Sequence, residues 1–341
     1  HFFRFRGVST PIVDSFTSTT GIGSSSSDPN KRDAMLLVAA FAAIYLIWGS
    51  TYLAIAVGIE SFPPLLLSAS RHLTVGLILY PALRWKTGIR PTRSQWRTAL
   101  ITGVLLLLMG NGGVCLAERT VPTGVAALLV SLVSFWMVLL DWLRPGGYKP
   151  APRVIASLVL AFGGLVLLVG PSHLGGSGRV DPIGAGILVV GSFGWACGSI
   201  YSKHNDLPSS PMLGVAMQSL VGGSALWIVG LLSGEGHQLH ITAISLRSWM
   251  ALGYLMVFGS GIGFTAYVYL LKKSAAARVG TYAFVNPVVA LFLAWLVAGE
   301  SITLRTALAA AVILTAVLVV ITAPHKDPLE AAEVLPNPGE A

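Results

Sequence analysis

The residues able to do chemistry in this chain are few, and they sit inside apolar stretches. Arg71 lies about halfway along FPPLLLSASRHLTVGLIL, residues 62–79. A charge at that depth in a bilayer costs roughly 2.5–3.5 kcal/mol on insertion scales, so the side chain has to point into protein. Two roles fit it: a counter-charge for a substrate carboxylate or for Glu118, or a guanidinium that caps free carbonyls of a neighbouring helix. Asn111, Cys115 and Glu118 fall at i, i+4 and i+7, which is one helix face. Glu118, at its outer end, could bind a cationic group or a proton, or be a snorkelling carboxylate paired with Arg119 or Arg71. Asn286-Pro287 sits in the middle of RVGTYAFVNPVVALFLAWLVAGE, residues 278–300. Pro287 donates no backbone hydrogen bond and strands the carbonyl of Ala283, and Asn286 adds an amide in the same turn. In lipid such a break survives only where protein or a water-filled cavity satisfies the freed groups. It is read either as a packing kink or as part of a functional path.

Aromatic residues interleave with small polar ones at helical spacing: Tyr45, Trp48 and Tyr52; Trp195 and Ser199; Tyr254, Phe258, Gly261 and Thr265; Tyr282 and Asn286. Such stripes suit an amphipathic or cationic ligand through stacking and cation–π contact, although aromatics also pack in any bundle. Trp48, Tyr52, Asn111, Trp195, Tyr254, Tyr282 and Asn286 are the candidate substrate-binding residues, with Arg71, Glu118 and Pro287 as candidates for gating or coupling. His72 is read as packing or facing lipid, and Tyr45 and Tyr267 as residues that could equally be core.

The elements that must hold these residues are membrane helices. The chain is 54% hydrophobic and only 11% charged, against roughly 25% charged in ordinary soluble domains. Ten apolar segments can be drawn, at 34–59, 62–83, 97–117, 121–143, 152–170, 182–203, 211–232, 249–271, 278–298 and 303–322. The stretch between Arg278 and Glu300 alone runs 21 residues without a charge, the length a helix needs to cross a bilayer core. Residues 1–33, rich in Ser and Thr, and 324–341 are expected to be disordered tails, and 171–181 a linker. The formal charge of +8 follows from topology rather than from a nucleic-acid partner. Of the 22 Lys and Arg, one face of the expected membrane holds only Arg119, Arg179, Arg247 and Arg305, while Arg71 lies within a span and the rest cluster on the other face. By the positive-inside rule both termini are expected in the cytoplasm. Cys115 and Cys197 both fall inside apolar runs, so neither a disulfide framework nor a metal site is expected.

An internal repeat emerges from the same residues. Pro64, Arg71 and Gly76 match Pro211, Gln218 and Gly223 at an offset of 147, and Gly103, Gly110 and Gly113 match Gly253, Ser260 and Gly263 at an offset of 150. Gly49-Ser50-Thr51-Tyr52 likewise matches Gly198-Ser199-Ile200-Tyr201. Five spans per copy is an odd number, so the second copy must be inverted in the membrane. Inverted repeats are the architecture of alternating-access carriers, with the substrate near the midplane between copies.

With IYLIWGSTYLAI at 44–55 and LMGNGGVCLAERTVPTGVAAL at 108–128 in the first copy, and GSFGWACGSIYSK at 191–203 and TYAFVNPVVALFLAWLVAGE at 281–300 in the second, the chain resembles the EamA family of the drug/metabolite transporter superfamily. The likeness spans about residues 34 to 323 and is strongest to its YedA-type exporters. It implies an all-α integral membrane protein of ten helices in two inverted five-helix repeats, 34–170 and 182–323. It also implies export of an amino acid, metabolite or drug-like compound across a plasma membrane of bacterial inner-membrane type. Where the family commonly has a proline in the fourth span this chain has Ser134, and Asp141-Trp142-Leu143-Arg144-Pro145 replaces the usual Gly-Glu. The ninth helix is therefore expected to bend and the fourth mostly not.

Other classes lack their signatures. A membrane-embedded transferase needs an acid/base pair or a metal cluster at one face, and the seven histidines are scattered. A channel wants a filter or a pore-lining repeat. No glycine-rich nucleotide loop with Lys is present, and no cofactor is expected. No Asp or Glu sits at mid-depth in a span, which favours facilitated export or exchange over tight proton coupling. The expected partners are a small-molecule substrate and the lipid bilayer, and monomer and homodimer both stay open.

Overall fold

Apolar runs of this length can satisfy their backbone in lipid only as helices or closed barrels. The computed structural model describes residues 29–121, 123–147, 149–169, 181–298 and 303–323, and is helical with no strand among them. The long helices are α1 (Pro29–Ile59), α2 (Pro64–Thr87), α3 (Arg93–Ala117), α4 (Val125–Leu143), α5 (Pro152–Val169), α6 (Pro182–His204), α7 (Pro211–Leu232), α8 (Leu246–Lys273), α9 (Tyr282–Ala298) and α10 (Leu304–Thr322). Among the described residues, seven helices (α1 to α4 and α6 to α8) are long and apolar enough to cross a membrane, and α5 and α10 carry shorter apolar stretches. Large apolar side chains such as Leu46, Ile78, Val159, Val257 and Leu318 are exposed around the bundle, as expected where the surrounding solvent is lipid. This is a multi-pass membrane protein.

Local sequence sets where the helices begin. Proline stands at the first turn of α2, α6 and α7, where a missing N–H costs nothing. The Asp181 carboxylate accepts from the N–H groups of Ile183 and Gly184, and Ser210 and Ser245 cap α7 and α8 in the same way. Thr92 and Gln95 form a reciprocal capping box at α3. α2 lacks a local cap and takes one from far along the chain. The buried Glu235 carboxylate accepts from Leu65 N–H at 3.2 Å and from Leu66 N–H at 2.9 Å. The sequence reading does not single out this acid; its signal is a lone Glu between Gly234 and Gly236.

The most extensive helix pair is α2 with α7. A Cβ on Gly76 would lie 2.6 Å from Leu220 N, and one on Gly223 would lie 2.5 Å from Leu73 N and 2.8 Å from its Cα. Gly76 and Gly223 are matched repeat positions, and so are Leu73 and Leu220, so each helix lays its glycine on the other's backbone in the same way. The same exchange holds elsewhere: α1 runs along α8 and α9 as α6 runs along α3 and α4, and α5 pairs with α10.

Polar contacts between loops sort into two ends. At one end Glu60 meets Arg247 at 3.8 Å, Ser61 donates to Ser248, and Thr120 donates to Asp181. At the other, Asp141 pairs with Arg144 at 2.8 Å and reaches His204 at 3.4 Å, while Gln95 donates to Asp206. Three hydrogen bonds, from Thr120, Gly184 and Ile183, hold the exposed Asp181 carboxyl below the usual carboxylate range.

Two expectations need correction. α1 begins at Pro29, so residues 29–33 are helical rather than tail, because nothing in Asn30-Lys31-Arg32-Asp33 stops a helix from extending past the apolar run; residues 1–28 lie outside the described ones. The expected contrast between the fourth and ninth helices is also absent. α4 is interrupted at Ser131 (φ −62°, ψ −18°) and the ninth segment at Thr281 (φ −59°, ψ −21°). These positions are 150 apart, and each hydroxyl donates to the carbonyl three residues back, Ser131 to Leu128 and Thr281 to Arg278. Pro287 lies within continuous helix. A serine or threonine bonding its own backbone does in both helices what proline was expected to do in one.

The α2–α7 contact makes a direct prediction. Gly223→Ala should lower the thermal stability of the purified protein by about 1–3 kcal/mol, the usual cost of overpacking. Gly253→Ala, where an added Cβ meets nothing within 4 Å, should be neutral or stabilising. Equal stability of the two variants in detergent melts would contradict the backbone contact.

Candidate functional site

A cavity lies between the two sequence halves. Every described residue lining it belongs to a helix: Trp48, Thr51, Tyr52 and Ile55 of α1, Arg71 of α2, Gly110, Asn111 and Val114 of α3, and Val130 and Val133 of α4. From the second half come Leu188, Gly191, Ser192 and Trp195 of α6, and Tyr282 and Asn286 of α9.

The aromatic wall is a single knot. Trp48 stands 5.6 Å from Trp195, 5.0 Å from Tyr282 and 5.0 Å from Tyr267, ring centre to ring centre. Glycines let these rings in, since a Cβ on Gly263 would lie 2.5 Å from Trp48 Nε1 and one on Gly110 2.6 Å from Trp195 Cε3. Trp48 Nε1 donates to the Gly259 carbonyl at 3.1 Å. Trp195 Nε1 donates to Tyr267 Oη at 2.9 Å, and that hydroxyl shares a 2.5 Å hydrogen bond with Ser199. Tyr267, read from the sequence as possible core, is fully buried and holds both tryptophans in place. Its signal was the match between Ser199, one turn beyond Trp195, and an aromatic on the third helix of the same half.

The polar lining is under-satisfied. Arg71 Nε donates to Ser260 Oγ at 2.9 Å, while Nη1 has no hydrogen-bond partner among the described residues. Neither a carboxylate nor a carbonyl is bonded to this guanidinium there, so both structural roles weighed for it, partner of Glu118 and cap of free carbonyls, lack their contact. His72 is buried against the same Ser260, with Nδ1 at 3.3 Å. Asn111 lies beside His72, and its Oδ1 has no hydrogen-bond partner among the described residues. Asn286 is buried, and with its nitrogen turned inward it donates to the carbonyls of Tyr282 at 3.0 Å and Tyr45 at 3.3 Å, an orientation assigned from the acceptors around it.

Of the candidate binding residues, Trp48, Tyr52, Asn111, Trp195, Tyr282 and Asn286 are brought together here, and Tyr254 is not. Tyr254 shares a hydrogen bond with Ser50 and stacks on Phe258 at 5.0 Å, on the partly exposed side of α8. The stripe on α8 stays together but looks away from the cavity: Phe258 faces outward, and Gly261 and Thr265 line a separate, nearly apolar groove beside Leu36, Ile78 and Met212. The buried side of α8 carries Ser260, Phe264 and Tyr267 instead. Leu255–Gly263 is wound as π-helix, as is Gly103–Gly112 in α3. Glu118 and Pro287 do not line the cavity either. Both Glu118 carboxylate oxygens are buried without a hydrogen bond among the described residues, and neither Arg71 nor Arg119 pairs with it there. Among those residues no group of three or more His, Cys, Asp or Glu could hold a metal.

A multi-pass helical protein with a cavity enclosed by two similar halves has the form of a solute carrier. The comparisons give that class its family: residues 34–170 and 182–322 each match the EamA-like transporter family, and the chain belongs to it. It is 36% identical over 291 residues to the uncharacterized inner membrane transporter YedA of Escherichia coli K12, covering 85% of this chain and 92% of that one. A protein of the same organism named as a probable amino-acid metabolite efflux pump is 25% identical, over 84% of this chain and 93% of its own. One crystal structure superposes with a TM-score of 0.68 at 22% identity, over 84% of this chain and 98% of the other, a likeness of fold.

Tyr267→Phe removes the acceptor of Trp195 and the partner of Ser199 together. It should cost about 1–3 kcal/mol, the penalty for leaving a buried polar group unpaired, read as a lower melting temperature with unchanged elution on size exclusion. A variant as stable as the parent would contradict the hydrogen-bonded knot.

Proposed function

We propose that the chain is a secondary carrier that exports a small organic solute across the plasma membrane by alternating access. In this reading ten helices cross the bilayer as two inverted five-helix halves, 34–170 and 182–323, with both termini in the cytoplasm. The observation that carries it is the cavity between the halves, lined from both sides and only by helices. The reciprocal packing of α2 on α7 supports an axis between the halves, and the sorting of loop contacts into two ends supports alternate crossings. The excess of Lys and Arg at the Asp141 end supports a cytoplasmic orientation of that end. The amino-acid metabolite efflux named for one relative makes amino acids and their derivatives one substrate class to test. Export without tight proton coupling is the mode supported by the lack of a carboxylate among the described cavity residues.

Counterflow in proteoliposomes against a panel of amino acids, nucleosides, organic acids and cationic dyes is the test. Saturable exchange of at least one class is expected. Trp48→Ala and Asn286→Ala should each lower it about tenfold, as for the loss of about 1.4 kcal/mol of binding, and Tyr254→Ala should leave it near the parent level. Green fluorescent protein fused to the C-terminus should fluoresce in cells. No exchange of any class would remove the carrier reading, and full exchange in both cavity variants would remove the site.

A further inference from the structure

We infer that the solute this cavity takes is a net-negative carboxylate on an apolar or aromatic body, bound through Arg71. The inference rests on the carrier reading of the cavity and deepens it. The aromatic stripes, taken alone, suited a cation as well as any amphipathic ligand. The charge around the cavity decides otherwise.

Arg71 is the only residue with a formal charge among the described residues that line the cavity, and it is 3% exposed. A buried guanidinium without a counter-charge is costly, and the usual remedy is a carboxylate within 4 Å. Arg71 has none among the described residues. Its Nε is held by Ser260 Oγ at 2.9 Å, which fixes the plane of the group, while Nη1 donates to nothing there. A guanidinium held at one nitrogen and free at another is prepared to bind a planar carboxylate, which it recognises better than any neutral group.

The rest of the lining agrees. Trp48, Tyr52, Trp195 and Tyr282 offer apolar faces and leave the charge recognition to Arg71. A cationic ligand would share the cavity with the guanidinium and meet no carboxylate among the described lining, so cation–π contact would have to outweigh like-charge repulsion. A zwitterion meets the same difficulty at its ammonium end. Glu118, the nearest acid along α3, is not part of the lining. Arg71 is matched in the repeat by Gln218, a neutral residue that is also buried and has no hydrogen-bond partner among the described residues, so the positive charge belongs to one half only and the site is polar in one direction.

The test uses three probes of one shape and three charges: 3-phenylpropionate, phenylalanine and 3-phenylpropylamine. Each is loaded into proteoliposomes of the full chain and followed by counterflow, and each is titrated against the intrinsic tryptophan fluorescence of purified protein. Expected is saturable binding and exchange of 3-phenylpropionate, at least tenfold tighter than of the amine and tighter than of phenylalanine. Arg71→Gln should abolish that preference, Arg71→Lys should retain part of it, and Glu118→Gln should leave it unchanged. Tighter binding of the amine or of phenylalanine overturns the inference while leaving the carrier reading intact. So does an unchanged preference in Arg71→Gln, and the parent's ranking of the three probes decides the matter even if that variant fails to insert. Exchange of none of the three, nor of any member of the wider panel, overturns the inference and the carrier reading together.

Discussion

Everything in this bundle depends on how closely α2 and α7 approach. Lipid gives helices no hydrophobic reason to associate, so contact has to come from packing, and packing is best where side chains are smallest. Gly76 and Gly223 bring backbone against backbone, and Gly103 and Gly222 extend the contact to α3. Because the glycines occupy matched positions in the two halves, the contact is reciprocal. The other helices are arranged around that contact, α1 on α8 and α9 as α6 on α3 and α4.

The cavity follows from this arrangement. α1 and α6 each carry a tryptophan toward the centre, and each tryptophan crosses to the third helix of the other half, where a glycine leaves room for it. Tyr267 and Tyr282 fill the space between the rings and leave a hollow on the side of α2, α3 and α6. Arg71 projects into that hollow from α2, one of the two helices that form the central contact. The Glu235 carboxylate at the start of the same helix adds a second tie between the halves.

Much of this was legible in the sequence, and for physical reasons. Hydropathy marks the helices because lipid leaves the backbone few alternatives, and each of the ten apolar segments coincides with a helix. The offset of 147 picked out the Gly76–Gly223 pair because only glycine fits there. Six of the seven proposed binding residues line one cavity, since polar and aromatic side chains inside spans have few other places to go. What was not legible depended on local winding and on distant partners. The stripe Tyr254, Phe258, Gly261 and Thr265 shares one side of α8, and which side of a helix faces the cavity is set by its neighbours rather than by its own spacing. Proline drew attention to position 287, yet the interruptions fall at Ser131 and Thr281, where a hydroxyl does the work less conspicuously. Glu235 acts on a helix 170 residues away, a distance no local reading covers.

The central claim is that two halves joined along α2 and α7 move about a cavity between them, so that neither end can stay closed during transport. The direct measurement is crosslinking at each end in a protein whose Cys115 and Cys197 are replaced. One cysteine pair stands at Glu60 and Arg247 and the other at Gln95 and Asp206, each bridged by a short bis-thiosulfonate. The account predicts that either crosslink alone stops counterflow and that a reducing agent restores it. Undiminished counterflow with either end crosslinked would contradict it.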